Sequence, residues 1–197
     1  MAPKQKVSRE RIVDAAFEIA RDEGAERISA RAVAKKLCCS TQPVLYHFAT
    51  IEDLKSAVYE KADAFHTAYI LRGREGCAAS MLEIGLSYIR FGAIEPNLFR
   101  FLFQSNRFSE QKLSDLTGDP ALEPVMRALS RDIGVDGQRA EQIFTVVFLL
   151  AHGMASMLAS NAMEYDESQT TCLLRSAMRG MILSMGEEGV LHEASEE

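Results

Sequence analysis

Ser40, Thr41 and Gln42 stand together ahead of Pro43, and Tyr46 and His47 follow within the next few positions. Two hydroxyls, a carboxamide, a phenol and an imidazole on short or stiff stems suit outward hydrogen bonding. A glutamine amide can pair with one adenine edge through both its donor and its acceptor, and hydroxyl and ring groups reach base edges or phosphates. Such groups act only when a framework fixes them. Val44 and Phe48 read as the inward anchors of a very short helix, with Pro43 in its first turn, where a missing N–H costs no helix bond. Upstream, the run from Ser29 to Leu37 reads as a second short helix, capped by Ser29 and buried along Ala32, Val33 and Leu37. Two short helices joined by a tight turn make a helix-turn-helix unit. Its second helix enters the DNA major groove by its N-terminal end while the first crosses the backbone. Base reading then falls on Thr41 and Gln42 beside Ser40. Ser29, Arg31, Pro43 and Tyr46 join them as contact candidates. For His47 a phosphate contact and a structural hydrogen bond both fit.

The elements around this unit are helical. Residues 1–7 form a polar, lysine-bearing arm, either a frayed tail or a phosphate-contacting one. Ser8 can cap a first helix carrying Ile12, Val13, Ala16, Phe17, Ile19 and Ala20 at helical spacing, with Gly24 ending it. Thr50-Ile51-Glu52-Asp53 has the form of a capping box and opens a long fourth helix reaching about Arg72, before the break at 73–76. Further helices are expected over Cys77–Ile94, Ala121–Ile133 and Gln138–Asn161, and from Asp166 or Ser168 to about Met185. An aromatic run occupies 97–103, a loop 105–120, and an acidic, solvated tail begins at Glu187. No strand-like alternation is present, so the expectation is an all-α chain of about nine helices.

Net charge is −6, which alone argues against a nucleic-acid binder, but its distribution reverses the argument. Residues 1–50 hold nine Lys and Arg against six Asp and Glu, whereas the rest holds 13 against 22. Phosphate attraction is screened within roughly 10 Å, so a local basic excess is what matters. No apolar run reads as a membrane span and no signal-peptide core is evident, which points to a cytoplasmic protein without a membrane partner. The four cysteines show no zinc-ligand spacing, and no metal or cofactor motif is found. Cys38 and Cys39 read most simply as small fillers of the turn, with a redox role left open.

On these residues the run from about Ser8 to Tyr59 resembles the DNA-binding domain of tetracycline-repressor (TetR) type transcriptional regulators. The resemblance rests on the helix ending near Gly24, on Ile28-Ser29-Ala30-Arg31-Ala32-Val33-Ala34, and on Ser40 followed by Phe48 and Glu52-Asp53-Leu54. Two positions depart from the family pattern. Leu45 stands where an aromatic is usual, and Ile51 where a phosphate-gripping lysine is common, which leaves Lys55 as the substitute. The resemblance implies a helix-turn-helix head over 1–52 and a helical body over 53–197 that binds an effector and dimerises. It also implies a regulator, in the first instance a repressor, that binds a pseudo-palindromic double-stranded operator as a homodimer.

The body offers two further readings. Gln138–Asn161 carries an apolar stripe broad enough for its own core and a partner. The last helix pairs Leu173, Leu174, Met181 and Met185 with Ser176, Ala177, Gly180 and Ser184, a combination suited to a four-helix dimer interface. His152-Gly153, with Tyr88, Phe103 and Phe148, is the candidate wall for a small apolar or amphipathic effector. The alternatives are a helical interaction or architectural DNA-binding protein without effector response, and an all-helical enzyme. The last finds no nucleophile motif, phosphate loop or carboxylate pair to support it.

Overall fold

The computed structural model describes residues 7–72, 79–105, 122–134, 137–160 and 163–193. The described residues form nine α-helices and no strand: α1 (Arg9–Glu23), α2 (Ala30–Lys36), α3 (Gln42–His47), α4 (Ile51–Ile70), α5 (Met81–Ile94), α6 (Pro96–Phe103), α7 (Glu123–Ile133), α8 (Gly137–Ala159) and α9 (Glu167–Glu193), with a 3-10 turn at Ala25–Arg27.

Side-chain caps set the helix starts. Ser8 accepts the Arg11 N–H at 3.3 Å and Ser29 the Ala32 N–H at 3.2 Å. Thr50 and Asp53 bond reciprocally, Thr50 N–H to Asp53 Oδ2 at 2.9 Å and Asp53 N–H to Thr50 Oγ1 at 3.1 Å, which satisfies two orphan donors ahead of α4. Ser80 and Glu83 repeat this box ahead of α5, so that helix starts at Met81 and not at Cys77. Gly24 ends α1 at φ 102, and a Cβ there would stand 2.5 Å from the Glu26 carboxylate.

Two compact units result, one from residues 1–67 with 95–106, the other from 68–94 with 107–197. In the first, α1 packs on α2, α3, the 3-10 turn and α6 around Ile12, Ala16, Val33, Val44, Leu54, Val58, Leu98 and Phe99. The aromatic run is thus helix α6, opened by Pro96 in its first turn. It is tied to α1 by a forked ion pair: Arg21 Nε donates to the two Glu95 carboxylate oxygens at 3.0 and 2.8 Å, and Nη2 also meets Oε1. Asn97 Nδ2 donates to the Arg21 carbonyl at 2.9 Å, and the Tyr59 hydroxyl to the Leu102 carbonyl at 3.3 Å.

In the second unit α8 is the central helix, packed on α5, α7 and α9. Ile84, Ile89, Phe91, Leu129, Ile143, Val147, Ala155 and Leu174 fill its core. A Cβ on Gly92 would stand 2.6 Å from the Ala155 carbonyl, so α5 and α8 approach closely there. Two expectations are corrected. Contrary to the sequence reading, α8 is long and apolar enough by length and composition to cross a membrane; its buried Ala140, Ile143, Phe144, Val147, Ala151, Ala155 and Leu158 mark it as a core helix. The backbone of α9 runs past Met185 to Glu193, through residues read as a solvated tail. Residues 1–6, the break at 73–76 and most of the loop at 105–120 lie outside the described residues.

Candidate nucleic-acid interface

The helix-turn-helix is built locally. Leu37 caps α2, and Cys38 follows in the left-handed region at φ 51, where glycine is the usual residue. Its N–H bonds the Lys35 carbonyl at 3.2 Å and the Cys39 N–H bonds the Ala34 carbonyl at 2.9 Å. This paired closure is a Schellman turn, and it reverses the chain into α3. Val44 and Phe48 are buried, 2% and 4% exposed, and the Arg9 guanidinium lies 4.9 Å over the Phe48 ring. With those anchors inward, helical spacing turns Gln42, Leu45 and Tyr46 outward together. Leu45 is 62% and Tyr46 83% exposed, and Gln42 and Ser40 are exposed beside them. Thr41 is half-buried at the N-cap, and its side chain makes no capping bond.

The remaining candidates are placed as follows. Ser29 is exposed and already accepts the Ala32 N–H; Arg31 is exposed on α2; Pro43 is half-buried in the first turn of α3. His47 Nε2 lies 3.1 Å from the Val7 carbonyl, so the ring pins the base of the N-terminal arm, the structural bond that the sequence had left open. Tyr46 meets the edge of that ring at a centroid distance of 5.1 Å. The Lys55 ammonium sits 2.9 Å from Glu52, which neutralises part of its attraction for phosphate. On α2, Lys36 pairs with Glu18 at 3.0 Å, and that hydrogen bond raises its pKa. Leu45 is the outward residue that the sequence reading passed over, although the anchors at Val44 and Phe48 already implied its direction.

Three of the four effector-wall candidates converge in the second unit. Tyr88 Oη is 2.9 Å from His152 Nδ1, Phe148 lies 5.7 Å from each of those rings, and Ser156 Oγ is 3.4 Å from His152 Nε2. Burial pushes the Tyr88 phenol up and the His152 imidazole down. Both groups are therefore neutral near pH 7, and the phenol can donate to Nδ1. Phe103 belongs to the first unit, where its ring is 5.0 Å from His66 and 4.9 Å from Phe99.

On α8, Val146, Leu149 and Met157 are exposed around Gly153, on the side away from the buried face. On α9, Leu173 and Leu183 are exposed with Ser176 and Gly180 between them.

No family model and no curated protein matches the sequence. Solved structures do match. A TetR-family transcriptional regulator from Streptomyces coelicolor shares 14% identity over 91% of this chain and 83% of its own, with a TM-score of 0.69. A second from the same organism gives 18% identity, coverage of 95% and 97%, and a TM-score of 0.56. One from Pseudomonas syringae pv. tomato str. DC3000 gives 21%, 90% and 96%, and 0.54. Identities this low speak for architecture, and they agree with the helix order and the helix-turn-helix built above: the chain has the fold of the TetR-family transcriptional regulators.

Proposed function

We propose that the chain is a TetR-type, ligand-responsive transcriptional regulator acting in the cytoplasm. As a homodimer it places α3 of each protomer in successive major grooves of a pseudo-palindromic operator, as a repressor. The observation that carries this reading is the outward face of α3, where Gln42, Leu45 and Tyr46 stand exposed on a two-turn helix seated by Val44 and Phe48. In a regulator, Gln42 is a base reader, and Leu45 offers apolar contact to a thymine methyl group. Ser29, Arg31, Ser40, Thr41 and Tyr46 hold sugar and phosphate. Residues 1–52 form the reading head and 53–197 the responding, dimerising body.

The exposed apolar faces of α8 and α9 support the dimer, because each protomer would otherwise leave them in water. Tyr88, Phe148 and His152 support a small apolar or amphipathic effector held by a single neutral polar network. Release requires that the effector bind the DNA-incompetent arrangement more tightly, with α4 as the connecting element. The test is fluorescence anisotropy of the full chain on duplexes tiled from its own upstream region, over a salt series. The expected result is one pseudo-palindromic duplex bound in preference to the rest, with affinity falling steeply with salt. Absence of binding to every duplex at low salt sinks the reading.

A further inference from the structure

We propose that Cys38 and Cys39 form a two-thiol capture site for trivalent arsenicals and similarly soft, thiophilic centres. Neither Cys38 nor Cys39 is in a disulfide; Cys38 is exposed and Cys39 is half-exposed. Their backbones are fixed by the turn bonds to Lys35 and Ala34, so adjacency in the chain keeps both thiols in the same turn of the folded protein. A direct disulfide is a poor use of this pair. Adjacent Cα atoms are about 3.8 Å apart, below the roughly 4.4–6.8 Å that unstrained disulfides span. A third atom between the sulfurs removes that constraint, and thiolates select soft centres over hard ones. The chemistry balances without an oxidant. An organic arsenical R–As=O loses its oxygen as water with the two thiol protons, two As–S bonds form, and arsenic stays trivalent.

The turn leads directly into Ser40, Thr41 and Gln42, so an adduct there stands at the N-terminal end of α3. Loss of DNA binding on capture rests on the function proposed above; capture itself does not.

The experiment titrates the full chain, reduced with a phosphine, with phenylarsine oxide. Thiol counting and intact mass are read together, and the adduct is mapped by trypsin to the peptide spanning 37–55. One adduct that consumes two of the four thiols and lies in that peptide is expected. Cys38→Ser and Cys39→Ser should each weaken capture on the order of 100-fold, because a two-point grip becomes a one-point grip. Cys172→Ser should leave it unchanged. A tight two-thiol adduct that survives Cys38→Ser, or one that maps to Cys77 or Cys172, overturns the site. Bridged protein that binds its operator as tightly as untreated protein overturns the coupling to DNA. Untreated protein that binds no DNA counts against the regulator and leaves the thiol result standing.

Discussion

Replacing Arg21 with alanine should cost more stability than replacing Glu95, although the two side chains form one ion pair. The asymmetry follows from burial, since the Glu95 side chain is 8% exposed and that of Arg21 44%. Stranding a buried carboxylate costs about 3–5 kcal/mol when its partner is equally buried. Here the guanidinium end is nearly half in water, which brings the expected loss for Arg21→Ala to about 2–3 kcal/mol. That variant also loses the contact of the Arg21 guanidinium 5.4 Å over the Phe65 ring, worth about 0.5 kcal/mol at a half-exposed site. Glu95→Ala instead leaves a guanidinium that rehydrates easily, for about 1 kcal/mol. Arg21→Lys should fall between, since the ammonium keeps the charge and loses the fork. Urea denaturation followed by circular dichroism measures all three, with slopes compared to confirm a common unfolding reaction. Glu95→Ala costing as much as Arg21→Ala, or both costing under about 0.5 kcal/mol, would refute the argument from burial.

Other perturbations test separate parts of the structure. Cys38→Gly removes a Cβ from a left-handed position and should raise stability by about 0.5–1 kcal/mol, read as a higher urea midpoint at unchanged slope. Burial pushes His66 down to about 4, from an ordinary value near 6.5. Between those values the unfolded chain binds the proton and the folded chain does not. Stability should therefore fall on acidification through that window, by about 3 kcal/mol in all, and His66→Leu should flatten the fall. Leu149→Glu places a charge on the exposed face of α8 and should yield a folded monomer by light scattering; an intact dimer would remove that face from the interface.

The helix-turn-helix was legible because its determinants are local. Ser29 caps its own helix, Pro43 sits in a first turn, and Val44 and Phe48 bury on one side, leaving Gln42 and Tyr46 outward. What stayed hidden depends on partners distant in the chain. His47 meets the Val7 carbonyl from 40 positions away and Arg21 meets Glu95 from 74, distances that no periodicity encodes. The helicity of α6 was hidden by its length: Leu98, Phe99, Phe101 and Leu102 bury on one side and Asn97 and Arg100 lie partly exposed, but eight residues are too few for that spacing to stand out beside so many aromatics. Phe103, grouped with Tyr88 and His152 by residue type, has ring contacts with His66 and Phe99 that its spacing does not announce. The extension of α9 into acidic residues was missed for the opposite reason, because a charge run reads as solvent-facing whether or not its backbone is helical.

The most direct measurement compares wild-type protein and Gln42→Ala by anisotropy on the preferred duplex and on a shuffled duplex, at one salt concentration. If the outward face of α3 reads bases, the substitution costs about 1–3 kcal/mol on the preferred duplex and leaves the shuffled one nearly unchanged. An equal loss on both duplexes, or a wild-type protein that does not tell them apart, contradicts the account.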